Sequence, residues 1–304
     1  MDPITIADVF NSDLFSSTSL TAAINEIAYV PQRLSELGIF EVDGVTTTTV
    51  FIEKVGETLR LVPNTPRGGP GTSVAIDRRK AVPLTAAHLQ LEDKIYADEV
   101  GNVRAFGSGN RLQGVQETRD ARLLKMSRSL DLTLEYHRLG AIQGLVLDAD
   151  GTTVIADLFD LFGISAPSDV DMNLDAGFNT TTSGAVIKPN VTGVLREIDV
   201  ELGGYSPSGY YAFCGDDFFD ALESHPELRE TLKYQQGAQL REDGRRTFSY
   251  AGVTWENYRG VGAVKIADTE ARLFPLGVPN LFQQYFAPTD QVSLSFRSTF
   301  GRVQ

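Results

Sequence analysis

One uninterrupted stretch, LQGVQETRDARLLKMSRSLDLTLEYHRLG from Leu112 to Gly140, limits what this chain can become. After Gly114 it contains no proline and no glycine until its last residue. Leu123, Met126, Leu130 and Leu134 recur at steps of three or four, which predicts a helix with one apolar stripe. Leu132, Tyr136 and Leu139 widen that stripe towards the C-terminal end. The opposite side carries Arg119, Asp120, Arg122, Lys125, Arg128, Asp131, Glu135 and Arg138, with Arg128–Asp131 and Glu135–Arg138 spaced for i,i+3 pairing. Gly140 is the expected C-cap, because glycine enters the left-handed region without Cβ strain. At about 1.5 Å per residue the segment makes a rod of roughly 40 Å. It is too charged to span a bilayer and too irregular for a sustained heptad repeat. A rod of this kind suits bracing a sheet better than lining a pocket.

The 304 residues suffice for one large or two ordinary domains. A net charge of −13 argues against a surface built to grip phosphates, which needs clustered Lys and Arg. It does not exclude working beside nucleic acid, since an acidic wall repels phosphates and a container that must let DNA slide would benefit from that. Cys214 is the single cysteine, so an intrachain disulfide is impossible and a reducing compartment is expected. The opening MDPITIADVFNSDLF has no basic segment followed by an apolar core, so no signal peptide is read there. A soluble intracellular product is the expectation.

Residues 1–40 read as an arm. Short apolar clusters that include Phe10, with Phe15 nearby, are separated by polar runs, and an arm of this composition needs another surface to lie on. Residues 41–83 read as a long β-hairpin, with Thr46–Ile52 outgoing, a turn at Lys54–Glu57 and Thr58–Val62 returning. Three prolines and three glycines within Pro63–Gly71 exclude regular structure and predict an exposed excursion. Arg67 and the run Arg78-Arg79-Lys80 make this the most basic patch of an acidic chain. It is either a solvated loop or a surface that meets acid on a neighbouring subunit. Residues 84–109 are expected to be partly helical. Beyond the rod, LVLDADGTTVIADLFDLFGI predicts a second hairpin turning at Asp150-Gly151. Residues 165–185 are turn-rich. A second amphipathic helix spans Val191–Leu202, and a strand, two helices, a hairpin and a further strand follow from Tyr210. That last unit is compact and the first is elongated.

Few residues suggest chemistry. Asp148-Ala149-Asp150-Gly151-Thr152 after an apolar run matches the DxDGT start of haloacid-dehalogenase-type Mg²⁺-dependent phosphatases, with Asp148 as nucleophile and Asp150 as acid/base. Lys188 and the aspartates Asp216, Asp217 and Asp220 can be cast as the later lysine and metal ligands. The context opposes this, because such a motif opens its domain and here it follows 147 residues of another kind. As a calcium loop the same stretch places Phe159 where a bidentate Glu is required. His88, His137 and His225 are scattered, so no metal or nucleophile constellation is read and no cofactor is expected. His137 reads as a surface or packing residue, His225 as a helix-start cap, and Cys214 as a buried small apolar residue.

The order of elements resembles the major capsid protein E family of tailed bacteriophages, the lambda-type branch of the HK97-like capsid fold. RLSELGIFEVDGVTTTTVFIE, LVPNTPRGGPG, the long helix with its GAIQG exit and LVLDADGTTVIADLFDLFGI carry the resemblance. So do VTGVLREIDVELGG, FCGDDFFDALESHPELRETLKY and ARLFPLGVPNLFQQYFAPTD, from about Ser12 to Asp290. The resemblance implies an α+β fold with an N-terminal arm (1–40), an extended hairpin loop (41–83), a peripheral domain (84–189) with a spine helix at about 112–140, and an axial domain (190–290). The family continues past YFAPTD with further strands, so no role is carried over to residues 291–304 beyond a candidate peripheral strand.

It further implies a structural subunit without catalysis that self-assembles into an icosahedral shell around double-stranded DNA. Its partners would be copies of itself in pentamers and hexamers, then scaffolding, portal and decoration proteins, with no membrane. The place implied is the virion, after assembly in the host cytoplasm. Arg67, Arg78, Arg79, Lys80, Phe10 and Phe15 are the candidate inter-subunit contacts. The alternatives are the phosphatase, or a phage structural protein that forms tubes or rings.

Overall fold

A computed structural model describes residues 32–54, 80–96, 111–174, 186–229, 247–260 and 262–288. The rod is its longest element, α2 (Arg111–Gln143), which follows a five-residue helix α1 (Arg33–Leu37). It runs three residues past Gly140, so the expected cap is displaced. Gly144 ends the helix with φ 86°, and a side chain there would strike the Phe159 ring 2.3 Å away. Gly140 is needed for a different reason. A Cβ at that position would lie 2.7 Å from the Leu145 carbonyl oxygen and 3.1 Å from Val146 Cα. The glycine lets the next strand fold back tightly over the last turn of the helix.

That strand, β4 (Leu145–Leu147), pairs antiparallel with β5 (Val154–Asp157), and Asp148–Thr153 forms the expected hairpin turn. Gly151 turns it with φ 70°. A short helix α3 (Leu158–Phe162) follows, its first N–H groups capped by the Asp157 carboxylate.

The compact unit is a four-stranded sheet, β6 (Gly209–Cys214), β7 (Thr247–Tyr250), β8 (Val253–Asn257) and β9 (Ala271–Leu276), in spatial order β7-β8-β6-β9. β6 and β8 are parallel and the other neighbours antiparallel. Alternate residues of β6 enter two different cores. Ala212 and Cys214 join Val253, Trp255, Phe219, Leu222, Ile187 and Val191 beneath α4 (Ile187–Glu201) and α5 (Asp216–Ser224). Tyr211 and Phe213 join Leu34, Leu139, Tyr258, Ile266 and Phe274 beneath α1 and the C-terminal part of α2. With both faces covered, the nearly unbroken apolar run YYAFC is what such a strand requires.

Two ribbons complete the described structure. β1 (Glu41–Gly44) pairs in parallel with β10 (Gln283–Phe286). β2 (Thr49–Lys54) pairs antiparallel with β3 (Lys80–Thr85) through six successive positions, Thr49↔Thr85 to Lys54↔Lys80. The long hairpin therefore returns through residues 80–85, later than Thr58–Val62, which lie outside the described residues. Residues 86–96 are irregular, and the remainder of the stretch expected to be partly helical, 97–109, lies outside the described residues. The second amphipathic helix begins four residues early, at Ile187, and ends before Gly203-Gly204 as expected.

Gly140→Ala opposes two effects. Alanine gains about 1 kcal/mol of helix propensity, and forcing a methyl against backbone costs about 1–3 kcal/mol. Because the atom in the way is a main-chain carbonyl, the clash should dominate. A lower urea midpoint at unchanged m-value is expected, and a raised midpoint would contradict the close approach.

Candidate assembly surface and its buried anchor

Two groups of polar side chains fasten α1 between the sheet and the long helix. In the first, the Arg33 guanidinium forks onto the Glu256 carboxylate, Nε to Oε1 at 2.7 Å and Nη2 to Oε2 at 2.7 Å. Nη2 also donates to the Tyr211 hydroxyl at 2.9 Å, which donates in turn to Glu256 Oε2. Burial lowers the affinity of Arg33 for its proton, but the hydrogen bond and charge of Glu256 outweigh that and hold its pKa above the usual value. Burial and Glu256 together push the Tyr211 hydroxyl up.

In the second group, Glu135 is only 2 % exposed. Its Oε1 accepts from the Leu34 N–H at 2.8 Å and from the Tyr258 hydroxyl at 3.2 Å. Burial pushes this carboxyl up, and those two donors together with Arg138 pull it part of the way back. Arg138 Nη1 stands 4.0 Å from Glu135 Oε2, so the pair expected from spacing is present. The pair lies on a covered face, because this end of α2 is enclosed by α1, the sheet and β10. Arg138 also donates to Ser35 Oγ and, at 2.7 Å, to Gln284 Oε1 on β10. Its guanidinium lies 5.9 Å from the Phe40 ring centroid.

Spacing held a signal for Glu135. It falls three residues after Leu132 and four before Leu139, inside the widened stripe. Arg33, Glu256 and Gln284 gave none, since their meeting depends on segments more than a hundred residues apart.

The surfaces facing outwards differ. The β2–β3 ribbon carries Phe51 at 66 % exposed, and β1 is exposed along its whole length. Two strands alone are marginally stable in water. Of the expected contact residues, Phe10, Phe15, Arg67, Arg78 and Arg79 lie outside the described residues. Lys80 opens β3, where its backbone pairs with Lys54.

The candidates for chemistry settle into structure. Asp150 accepts from the N–H groups of Thr152 and Thr153 at 2.9 and 2.8 Å, and from the Thr153 hydroxyl at 2.6 Å. These bonds, led by the Thr153 hydroxyl, hold its carboxyl well below the usual range. That is the wrong direction for a group that must carry a proton at neutral pH. Asp216 accepts from Asn257 Nδ2 at 2.8 Å and stands 3.4 Å from Arg259. Among the described residues no group of His, Cys, Asp and Glu could hold a metal ion, and no helix is long and apolar enough to cross a membrane. Cys214 is buried, and burial pushes its thiol pKa up. His225 accepts the Glu227 N–H on Nδ1 at 3.3 Å, as a helix-start cap does. His137 packs beside Tyr136, and burial lowers its pKa against the pull of Asp148.

Glu135 has a pH signature. Its pKa in the folded chain lies above the ordinary 4.5. Its contribution is therefore whole below that value and is lost as pH rises through the folded pKa. E135Q keeps an acceptor for Leu34 and Tyr258 and cannot ionise. The stability of E135Q relative to the parent should grow from about pH 4 to about pH 8. Denaturation curves at each pH measure this, and parallel profiles would contradict the buried carboxyl.

Over residues 16–295 the chain matches the family model described as phage major capsid protein E. It is 25 % identical over 297 residues to the major capsid protein of Pseudomonas phage KPP10, covering 91 % of this chain and 84 % of that one. It is 23 % identical over 271 residues to the major capsid protein of Salmonella phage Felix O1 (isolate Felix O1-VT1), covering 81 % and 70 %. A match of that extent, on a mixed helix-and-strand fold braced by one long helix, decides the assignment: the chain belongs to the phage major capsid protein E family, and its role is structural, not catalytic.

Proposed function

We propose that this chain is the repeating subunit of an icosahedral shell with an HK97-like capsid fold, enclosing double-stranded DNA. The family match over residues 16–295 carries the reading. On this reading residues 1–40 are the arm, 41–83 the extended hairpin loop, 84–189 the peripheral domain with α2 as its spine, and 190–290 the axial domain. Residues 291–304 form a terminal segment. Copies form pentamers and hexamers, with the same chain serving in both. Closed symmetry then prevents open-ended growth. Scaffolding, portal and decoration proteins are the further partners, and the shell assembles in the host cytoplasm. The net charge of −13 supports a container that holds DNA without reading it.

The energetics favour extensions that dock on neighbours. A ribbon that leaves Phe51 mostly in water gains by covering it, at about 25 cal/mol per Å² of apolar area. Multiplied over a shell, a few hundred Å² per contact is decisive. Phe10 and Phe15 are proposed to contribute from the arm. Arg67, Arg78, Arg79 and Lys80 are proposed to meet acidic groups of an adjacent subunit.

Negative-stain microscopy beside light-scattering mass tests the reading. Closed particles of uniform diameter are expected, and tubes, rings or a fixed small oligomer with its partner proteins co-expressed would overturn it. Reversing Arg78, Arg79 and Lys80 to Glu should abolish particles while leaving the circular dichroism melt of the subunit unchanged. Normal assembly of that variant at both low and high salt would contradict the proposed contact.

A further inference from the structure

We propose that Arg138 is a positioning residue for assembly, fixing the direction in which the β2–β3 ribbon leaves the body. The inference rests on the shell reading above only for its consequence, since the geometry belongs to the single chain.

Arg138 ties the long helix to both the α1 region and the β1–β10 ribbon. It holds Ser35 on α1, Gln284 on β10 and the ring of Phe40, the residue before β1. Gln284 is the register partner of Val42, so the guanidinium holds β10 directly, and β1 through that pairing and through the Phe40 ring that precedes it. From β1 the chain reaches β2 through four residues that are tied at each end. Val45 N–H donates to the Phe286 carbonyl, and the Thr48 carbonyl accepts from Ala86 N–H, both at 2.9 Å. Each of these bonds lies within one ribbon, so only Thr46 and Thr47 separate the two. Over so short a joint the direction of β2 follows that of β1, and that of β1 follows Arg138.

Leverage makes this matter. Six residues of β2 at about 3.3 Å each extend roughly 20 Å, so a tilt of about ten degrees at the root moves the far end by roughly 3 Å. A displacement of that size breaks hydrogen bonds and apolar contacts with a neighbour. The side chain of Arg138 is 12 % exposed, so little water competes for its donors. Lysine cannot substitute, because a single ammonium has no planar fork to span Ser35 and Gln284 together.

The direct test is a distance distribution on unassembled full-length subunits, by pulsed electron–electron resonance between spin labels at F51C and V200C. Both positions are exposed, and Cys214 is buried away from the label. A narrow distribution is expected for the parent. R138Q should give one about twofold wider and R138K one in between. V191A, which opens a cavity in the core on the far face of the sheet, should destabilise the chain and stay narrow. Parent-like widths in R138Q and R138K would overturn the proposal, as would equal broadening in V191A; if R138Q does not fold, R138K decides. Particles from R138K should be irregular in diameter at a temperature where the subunit is fully folded, and uniform ones would also overturn it. Failure of the parent to form particles would instead strike the shell reading, and the label distances would still judge Arg138.

Discussion

The closing of the sheet's second face depends on a partly buried ion pair, Arg33 with Glu256, backed by Tyr211. Removing two charges from water costs several kcal/mol, and such a pair returns that cost only with excellent geometry and satisfied remaining lone pairs. Both conditions are met. The fork is bidentate, and the tyrosine hydroxyl bridges the two groups. The net stability gained is small, and what the pair supplies is uniqueness. Leu34 alone would fit many apolar hollows. Leu34 next to an arginine that must find Glu256, with an N–H that must find Glu135, fits one.

That single seat has consequences through the fold. With α1 docked, the second face of the four-stranded sheet is closed, and Phe213, Tyr258 and Phe274 are sealed beneath it. The C-terminal end of α2 is enclosed at the same time, which converts Glu135 and Arg138 from surface charges into internal ties. The chain then leaves α1 through Phe40 directly into β1, beside β10. A rigid, doubly covered sheet and a braced helix thus hand over, within a few residues, to ribbons with thin cores. For a structural protein of this family the division is useful. The body keeps its shape, and the ribbons present backbone and apolar groups that a neighbouring surface can complete.

The parts of the fold read from sequence were those governed by local rules. The long helix, the Asp150-Gly151 hairpin, the YYAFC strand, the DDFFDALES helix and the hairpin around Ala251-Gly252 each carry their own periodicity or turn residues. The errors arose where tertiary contact overrides them. Gly140 reads as a cap, and it is a point of close approach whose partner strand lies five residues on. Glu135 and Arg138 read as a pair on the side opposite the apolar stripe, and α1, a hundred residues earlier, covers them. The return strand Lys80–Thr85, with Pro83 inside it, offers little strand signal, and only its register with Thr49–Lys54 marks it. The parallel pairing of β1 with β10 joins segments more than two hundred residues apart, which no local pattern can announce. The proposed assembly surface rests on composition alone, basic and proline-rich between residues 63 and 83, of which 63–79 lie outside the described residues.

The most direct measurement on the central claim is hydrogen exchange of the α1 amides in the full-length chain, compared with those of β6. The Leu34 N–H is buried against the Glu135 carboxylate and has no route to water unless α1 leaves its seat. If α1 is part of the body, peptides covering residues 33–37 and 209–214 should exchange together, only through global opening, and respond equally to denaturant. Exchange of 33–37 that is orders of magnitude faster and insensitive to denaturant would show α1 undocking by itself. The buried polar anchor would then not be what holds this molecule in shape.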